Sequence, residues 1–386
     1  MSDVKVTDSV LYVGCDDLDI DLFESQYHVP NGVSYNSYVI LDEKIAIMDT
    51  VDPRRTEEWM EKVEKALGGR LPDYLVVQHM EPDHAGSIQK ICTKYPQMQI
   101  VSNAKVFGMM PQFFDFDLTG RTITVKEGDT LSLGSHTLTF VMAPMVHWPE
   151  VMVTYEASEK ILFSADGFGK FGALSVEEDW TDEARRYFIN IVGKYGGPVQ
   201  TLLKKASALD IQMICPLHGP ILKDNLSYYI DKYQIWSRYE SEDEGVFVAC
   251  ASIHGNTKDV ALKVVEMLKA KGIKVAFADL TRDDMSEAIE DAFRYDKLIL
   301  AASSYDAGVF PPMEDFLNRL SHKTYQNRKV GIIENGSWAP SAAKTMKGIV
   351  ETFKNVAICE QTVTIKSTMK DADVEAIEKL AEEILG

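Results

Sequence analysis

From residue 244 onward, the sequence alternates regularly between strand-like apolar runs and helix-like segments. The apolar runs are VFVACAS, IKVAFADL, KLILAASSY, RKVGIIEN and AICEQTVTI, and the segments that follow them have the spacing of amphipathic helices. Strict alternation of this kind is typical of a parallel sheet covered by helices on both faces. We therefore predict a doubly wound α/β domain over residues 244–386.

The preceding block, residues 1–243, mixes strands and helices without a regular order, and the acidic stretch YESEDEG (residues 239–245) spans its boundary with the second block. Period-two alternation and turn residues predict strands, some paired as hairpins, within residues 36–50, 73–78, 122–144 and 152–166. Helical spacing predicts helices at residues 54–69, 87–96, 181–195 and 199–209. This block is therefore predicted to be a separate α+β domain rich in antiparallel sheet.

The composition excludes several classes of function. Lys and Arg number 40 and Asp and Glu number 59, and a surface with the resulting formal charge of −19 repels nucleic acid and anionic membranes. The first residues lack the features of a secretory signal, and no apolar run approaches the length of a membrane span. We therefore expect a cytoplasmic protein. Five widely spaced cysteines form no CxxC pair, so neither disulfides nor a thiolate metal site is expected.

The strongest motif directly follows the predicted strand DYLVVQ, where the sequence continues HMEPDH. Its four potential metal ligands are His79, Glu81, Asp83 and His84. Side chains alternate along an extended segment, so the first three can leave on one side, while His84 turns as a helix begins. Such a density of ligands at the carboxyl end of a strand predicts a metal site.

Three further ligand candidates stand at strand or loop ends downstream. His147 follows the apolar run FVMAPMV, Asp166 ends the run ILFSAD, and His218 follows MICPL. A rigid element can deliver a ligand at such a place, although each residue alone is also compatible with an ordinary capped loop. The other histidines lack this setting; they are His28, His136, His254 and His322.

A second constellation follows the first strand of the alternating block, where the sequence reads SIHGNT. This loop is similar to the phosphate loop of flavodoxins, [ST]xxGNT, in which hydroxyls and the amides of a helix N-terminus hold FMN without a lysine. The GK[ST] of a P-loop is absent. The candidate FMN contacts here are Ser252, His254, Gly255, Asn256 and Thr257.

Two more loops are predicted at the same edge of the sheet, after its third and fourth strands, where ligands of doubly wound folds bind. Tyr305 and Trp338 are candidates to stack on the flavin ring, although ordinary loop packing is an open alternative for both. His254 stands where flavodoxins often have an aromatic residue. The candidate contacts in these loops are Ser303, Ser304, Tyr305, Asp306, Ala307, Gly308, Asn335, Gly336, Ser337 and Trp338.

The order HxExDH, then His, Asp and His at later strand ends, resembles the metallo-β-lactamase superfamily, whose αββα sandwich holds two metals. Zinc hydrolases of that superfamily usually read HxHxDH, whereas Glu81 stands at the second ligand position here. With the flavodoxin-like block, this replacement resembles the flavodiiron proteins along essentially the whole chain. The resemblance implies a lactamase-like di-iron domain over residues 1–243 and a flavodoxin-like FMN domain over residues 244–386.

The resemblance also implies how the ligands divide between two irons: His79, Glu81 and His147 on one, Asp83, His84 and His218 on the other, with Asp166 bridging. The charges are consistent with this division, because three carboxylates oppose the +4 of two ferrous ions and a bridging hydroxide would neutralise the remaining charge. Hard carboxylates also suit iron better than an imidazole-rich site would.

What the resemblance implies is an enzyme that reduces O₂ to water and/or NO to N₂O, with electrons entering through FMN. The sequence ends after the fifth predicted helix, so we expect a separate donor such as rubredoxin, and a head-to-tail homodimer or dimer of dimers. Two alternatives are a binuclear zinc hydrolase fused to a flavodoxin domain and a non-catalytic electron carrier. Glu81 argues against the first, and the full set of ligand positions argues against the second.

One segment departs from the family pattern. The stretch DLFESQYHVPNGVSYNSY resembles the family's amino-terminal loop near the metals, but Glu24 stands where some members have a histidine, and His28 lies close by. The role of this loop and the preference for O₂ or NO are therefore left open by the sequence.

Overall fold

The computed structural model describes residues 4–386, which form two compact units. The first unit contains the chain up to Phe188 together with Gly197–Gln234, and the second contains Ile189–Gly196 together with Ile235–Gly386. The predicted boundary between residues 243 and 244 stays a prediction. The division by contacts differs from it because residues 189–196 and 235–243 belong to the second unit. Among residues 4–386, no helix combines the length and the apolar character that crossing a bilayer requires.

The first unit is built on two sheets, in the orders β1-β6-β7-β8-β9-β10 and β11-β12-β13-β14-β15, with small ribbons β2–β5 and β3–β4. Its strands are β1 (Val10–Tyr12), β2 (Cys15–Asp17), β3 (Leu22–Phe23), β4 (Tyr27–His28), β5 (Val33–Tyr35), β6 (Tyr38–Ile40), β7 (Ala46–Met48), β8 (Tyr74–Val76), β9 (Gln99–Ser102), β10 (Thr122–Thr124), β11 (Thr130–Ser132), β12 (Thr137–Met142), β13 (Met152–Glu156), β14 (Ile161–Phe163) and β15 (Met213–Cys215). Its helices are α1 (Thr56–Leu67), α2 (Pro82–Ala85), α3 (Ile88–Lys94), α4 (Ala104–Phe113), α5 (Trp180–Tyr187), α6 (Gly196–Ala206) and α7 (Leu226–Ser237).

The two large sheets share one apolar core. Val76 and Val101 of the first sheet pack in the same cluster as Phe140 and Phe163 of the second. The predicted hairpin within residues 152–166 is confirmed, because β13 and β14 pair antiparallel. Helices complete the αββα sandwich, and the fold class predicted for this block is confirmed.

The prediction of one helix over residues 181–195 is wrong. α5 ends at Tyr187 and continues as a π turn, Phe188–Val192, and a 3₁₀ turn, Gly193–Tyr195, before α6 begins. Ile189, Ile191, Val192 and Gly193 all have a lower helix propensity than alanine, which favours a departure from the α-helix at this point. The next predicted helix, residues 199–209, is present but shifted, since α6 runs from Gly196 to Ala206.

The second unit confirms the predicted doubly wound domain. Its parallel sheet has the order β17-β16-β18-β20-β21, the flavodoxin-like arrangement, and β19 adds a short antiparallel pair to β18. The strands are β16 (Asp243–Ala251), β17 (Val275–Asp279), β18 (Tyr295–Tyr305), β19 (Gly308–Val309), β20 (Lys329–Asn335) and β21 (Ala357–Ile365). The helices are α8 (Asn256–Ala270), α9 (Met285–Arg294), α10 (Pro311–His322), α11 (Ala342–Val350) and α12 (Val374–Glu383).

Arg328 explains why the stretch before β16 belongs to the second unit. Its guanidinium is buried and donates to the backbone carbonyls of Tyr239 and Glu240, as well as to those of Phe293 and Tyr295. Burial lowers the pKa of Arg328, and the carbonyls compensate part of the lost hydration. The segment before β16 is therefore tied to the flavodoxin-like sheet.

Candidate metal centre and flavin site

The first ligand motif lies where an extended segment turns into a helix. After β8 the chain runs through His79 to Glu81, and α2 begins at Pro82, whose fixed φ suits the first turn of a helix. α2 then carries Asp83 and His84, both buried. The change from extended to helical backbone separates the motif into two pairs of ligands, one before the helix and one on it.

The first pair joins His147 in one group of side chains. The Oε2 atom of Glu81 lies 3.1 Å from His79 Nε2 and 3.0 Å from His147 Nε2. His147 stands in the loop that follows β12, so two separate segments supply this group. Both imidazoles are buried, which keeps their Nε2 atoms away from bulk water.

The second pair joins His218 in another group. The Oδ2 atom of Asp83 lies 3.2 Å from both His84 Nε2 and His218 Nε2, and these two nitrogens lie 3.1 Å apart. His218 stands in the loop after β15. Three potential ligand atoms therefore face one another in a space of a few ångströms.

Asp166 lies between the two groups and turns one oxygen to each. Its Oδ2 atom is 3.2 Å from the Nε2 atoms of His79 and His147, and its Oδ1 atom is 3.1 Å from His84 Nε2. The distance from Oδ1 to His218 Nε2 is 3.8 Å. The structure thus brings all seven predicted ligands together, in the two groups and one shared carboxylate that the family resemblance implied.

The electrostatics of this cluster are strongly coupled. Burial alone would lower the pKa of His79, but the Asp166 carboxylate outweighs it and holds that pKa well above its ordinary value. The pKa of His147 is likewise raised to about 9, against the effect of burial, by Asp166 and Glu81. In return, the histidines hold the pKa of Asp166 well below its usual range, although burial opposes this.

The hydrogen bonding of the cluster is incomplete in a way that fits metal ions. Both carboxylate oxygens of Asp83 and both of Asp166 are buried and accept no hydrogen bond from residues 4–386. Unpaired buried carboxylate oxygens are costly unless a cation compensates them. Four imidazole nitrogens and three carboxylates are a donor set that iron accepts, so the residues present fit a centre of two metal ions.

Glu150 is a contact of the centre that the sequence reasoning missed. Its Oε1 atom accepts from the His79 Nδ1 atom at 2.8 Å and from the Met80 amide at 3.0 Å. By contrast, His218 Nδ1 donates to the backbone carbonyl of Ser34 at 2.8 Å. Glu150 follows Pro149, three residues after His147, and such a sequence is typical of an exposed loop. Only its burial in the structure shows that this glutamate belongs to the surroundings of the centre.

The loop that departs from the family pattern reaches the same centre. Glu24 and Ser25 occupy the turn between β3 and β4 with φ angles of 48° and 57°, a region that ordinary side chains rarely adopt. Desolvation and the nearby Glu81 carboxylate raise the pKa of Glu24 to about 7. His28 is exposed on β4.

Aromatic rings enclose the side of the centre at His218. The ring centroids of Phe23 and Tyr187 are each 5.5 Å from that of His218, and the Tyr35 ring is 6.0 Å away. Burial, and after it the carboxylates of Asp166, Asp83 and Glu81, raise the pKa of the Tyr187 hydroxyl well above its ordinary value. This side of the centre is therefore apolar and keeps its phenol protonated.

The predicted phosphate loop lies between β16 and α8. Gly255 has a φ of 93°, and the space beside its α-carbon is open, so an anion can approach the backbone there. Ser252 Oγ accepts from the Gly255 amide at 3.1 Å, and the buried Thr257 hydroxyl lies 2.9 Å from that of Ser303. His254 is exposed beside these groups.

The other two predicted flavin loops are shorter than the sequence suggested, because their strands continue further. β18 runs to Tyr305 and turns back into β19 through Asp306 and Ala307, whose φ angles are 45° and 59°. β20 includes Asn335, whose side chain bonds the backbone of Ser367 at 2.8 and 2.9 Å. Tyr305 is 46% exposed and Trp338 is 94% exposed, so both rings are accessible to a ligand.

A third group of potential ligands lies outside the centre and has a different character. His136 Nδ1 is 2.8 Å from Asp42, and its Nε2 atom is 3.1 Å from the hydroxyl of Ser9. The carboxylate of Glu156 accepts from the amides of Ser158 and Glu159. Because these groups already have partners, this group fits a structural hydrogen-bond network.

The first unit has a buried centre for two metals on a lactamase-like sandwich, and the second has a phosphate loop on a flavodoxin-like sheet. Together these features define a class of metal-dependent flavoprotein. The family described as ODP family beta lactamase matches residues 33–219. The oxidase of reduced coenzyme F420 from Methanothermobacter marburgensis is 30% identical over 98% of each chain. A nitric oxide reductase from Moorella thermoacetica is 28% identical over 99% of this chain and 98% of that one.

A solved structure agrees over the same length. The rubredoxin oxygen:oxidoreductase of Desulfovibrio gigas is 25% identical and superposes with a TM-score of 0.91, covering 98% of this chain and 97% of that one. The chain belongs to the flavodiiron family. It is therefore an oxidoreductase whose cofactors are FMN and a di-iron centre.

Proposed function

We propose that this protein reduces O₂ to water and/or NO to N₂O at its di-iron centre, with electrons delivered through FMN. The observation that carries the proposal is the Asp166 carboxylate, which turns one oxygen to each of two ligand groups, as a centre that binds a small gas between two irons requires. The proposed iron ligands are His79, Glu81, Asp83, His84, His147, Asp166 and His218.

The electron count of the two cofactors matches both reactions. O₂ takes four electrons and four protons to become two waters, and two NO take two electrons and two protons to become N₂O and one water. A reduced FMN holds two electrons and two ferrous ions hold two more. The residues around the centre would hold the irons; they are buried away from bulk water, and burial and the nearby carboxylates keep the Tyr187 phenol protonated.

A binuclear zinc hydrolase is the less favoured alternative. Glu81 takes the place of the histidine usual in those hydrolases, and it contacts two imidazoles instead of adding a third. The resulting donor set, with three carboxylates, is harder than that of a typical zinc site. The non-catalytic carrier is also disfavoured, because all seven ligand positions are present and meet in space.

The FMN contacts extend the proposal to the second unit. The phosphate would lie on the Ser252–Thr257 loop at the N-terminus of α8, where helix amides and hydroxyls favour an anion. Tyr305 and Trp338 would contact the ring, since both are exposed at the same edge of the sheet. The remaining proposed contacts are His254, Gly255, Asn256, Ser303, Ser304, Asp306, Ala307, Gly308, Asn335, Gly336 and Ser337.

The electron donor is a rubredoxin-type protein, a proposal supported by the structural neighbour whose name includes rubredoxin. A head-to-tail homodimer or dimer of dimers would bring the flavin of one copy to the irons of another. A cytoplasmic location is supported by the cysteines, all of which are free and buried in the described chain. The domain boundary between residues 243 and 244 belongs to the same proposal.

The first test is a cofactor and substrate assay. The purified protein should contain two irons and one FMN per chain, and reduced rubredoxin should support the uptake of O₂ or NO, each measured separately. A colourless protein that contains zinc and hydrolyses esters or lactams would contradict the proposal.

The second test changes one ligand. Glu81→Ala should lose iron and gas uptake but keep FMN, because only the first ligand group is broken. Glu61→Ala, which removes an exposed carboxylate of α1, is the matched control and should keep both cofactors. Full gas uptake by Glu81→Ala would refute the assignment of Glu81 as a ligand.

A further inference from the structure

The two ligand groups of the metal centre differ in the hydrogen-bond partners of their histidine Nδ1 atoms, which lie on the opposite side of the ring from the Nε2 atoms that face the centre. His79 Nδ1 meets the carboxylate of Glu150 at 2.8 Å, whereas His218 Nδ1 meets the neutral carbonyl of Ser34 at the same distance. His84 Nδ1 is buried and has no hydrogen-bond partner within residues 4–386. Of these three rings, only that of His79 has a carboxylate hydrogen-bonded to its Nδ1 atom.

Glu150 is held so that its charge cannot turn away from His79. The side chain is buried, and the same Oε1 atom also accepts from the Met80 amide at 3.0 Å. The backbone carbonyl of Glu150 accepts from Asn103 Nδ2 at 2.7 Å, which fixes the loop. Its other oxygen, Oε2, has no hydrogen-bond partner within the described chain, so His79 is the one side chain there that this carboxylate hydrogen-bonds.

A carboxylate that accepts the Nδ1 proton makes an imidazole a stronger electron donor at Nε2, while a neutral carbonyl does this less. We propose that Glu150 is a positioning residue that makes the two iron positions electronically unequal, so that the iron on the His79 side loses its electron first. This inference rests on the proposed di-iron centre. It assigns to Glu150 a control over the order of oxidation and no contact with the irons.

The test is a stepwise oxidation of the complete, iron-loaded protein. Ferricyanide accepts one electron per equivalent and becomes ferrocyanide. Starting from protein whose FMN is oxidised and whose two irons are ferrous, one equivalent per centre gives one ferrous and one ferric ion. Unequal positions give a high yield of this mixed-valence form, which is counted by electron paramagnetic resonance and by Mössbauer spectroscopy. These signals do not depend on turnover.

Glu150→Gln keeps the shape of the side chain and removes its charge. We expect the first oxidation to become harder and the second to change little, so that the mixed-valence yield falls to about half that of the unaltered protein and iron affinity falls about tenfold. Glu150→Asp keeps the charge and should retain more of both. Asp42→Asn is the matched control, because Asp42 also pairs with a histidine Nδ1 at 2.8 Å, but outside the centre.

The outcomes separate this inference from the proposed function. An unchanged mixed-valence yield in an iron-loaded Glu150→Gln protein would overturn the inference and leave the proposed function intact. Equal loss of iron from Glu150→Gln and Glu150→Asp would also overturn it, since the shape of the side chain and not its charge would then matter. Absence of iron from the unaltered protein would instead refute the proposed function.

Discussion

The metal centre and the flavin site are built on opposite physical principles. The metal centre gathers charged side chains from several loops in a buried space, with His79 and Asp166 fully inaccessible. The flavin site consists mainly of backbone turns and hydroxyls at one edge of a sheet, and its aromatic residues Tyr305 and Trp338 are exposed. The first site depends on its ligand to balance its charges, and the second does not.

This difference in charge and burial indicates how much each cofactor contributes to the stability of its unit. In the metal-free protein, the carboxylate oxygens of Asp83 and Asp166 accept no hydrogen bond within the described chain, and the nearby histidines oppose their charge only in part, which leaves a cost that metal ions would remove. In the flavin site, Thr257 and Ser303 already satisfy each other, and Ser252 caps its own loop. Removal of iron should therefore disturb its unit more than removal of FMN disturbs the other.

The largest expected effect comes from Asp166→Asn, which changes the carboxylate that both ligand groups share. Breaking a buried charged cluster costs about 3–5 kcal/mol, so iron binding should weaken by at least about 100-fold while FMN remains bound. Atomic emission for iron and absorbance for flavin measure the two cofactors in one sample. Asp210→Asn, which removes an exposed carboxylate, is the control. Normal iron content in Asp166→Asn would show that the carboxylate is not shared.

Removal of iron with a chelator tests the comparison at the level of stability. A ligand present at about 100 times its dissociation constant stabilises the folded state by about 2.7 kcal/mol, which corresponds to a fall in Tm of roughly 5–10 °C on removal. Calorimetry gives the shift, and hydrogen exchange should locate it around β8 and α2. Removal of FMN should give a smaller shift, located in the second unit. Equal shifts in Tm on removal of iron and of FMN would contradict the expected difference between the two sites.

Thr257→Ala tests the flavin site in the same way. Loss of one hydroxyl that is available to the phosphate costs about 1.4 kcal/mol, so FMN affinity should fall about tenfold, while iron content stays unchanged. Quenching of flavin fluorescence on binding measures the affinity. Thr93→Ala removes an exposed threonine hydroxyl from α3 and should leave FMN binding as it is. An unaltered affinity in Thr257→Ala would exclude this hydroxyl from the phosphate site.

The smallest effect is expected at Trp338. Stacking of an aromatic ring contributes about 1 kcal/mol, so Trp338→Ala should weaken FMN binding about fivefold, and Trp338→Phe should weaken it less. Fluorescence titration of both variants measures the difference. If both variants bind FMN like the unaltered protein, Trp338 does not stack on the ring and its exposure has another reason.

The sequence allowed the candidate ligands to be predicted because each stands at or just after the end of an apolar run. His147, Asp166 and His218 become informative only in combination with HMEPDH, and the structure brings them all together. Glu150 could not be found in this way, because nothing in a proline-containing loop distinguishes a buried glutamate from an exposed one. Its role depends on His79, which lies 71 residues away in sequence.

The fold was predictable to a different extent in the two units. Regular alternation determines the order of elements in the second unit, because each strand is long enough to show its apolar character. In the first unit, ribbons such as β3 and β4 contain only two residues each, too few to show any period. The break after α5 was missed because a run of apolar residues fits an α-helix and a π turn equally well.

The path of the chain between the two units limits how this protein can be divided into modules. Residues 189–196 lie in the second unit, where Asn190 donates to the carbonyl of Ser286 and accepts from Lys323. A gene split after residue 243 would leave this segment on the first product and its partners on the second. The hydrogen bonds of Asn190 with Ser286 and Lys323 would then be lost from both products. We therefore expect recombination to exchange the two halves together.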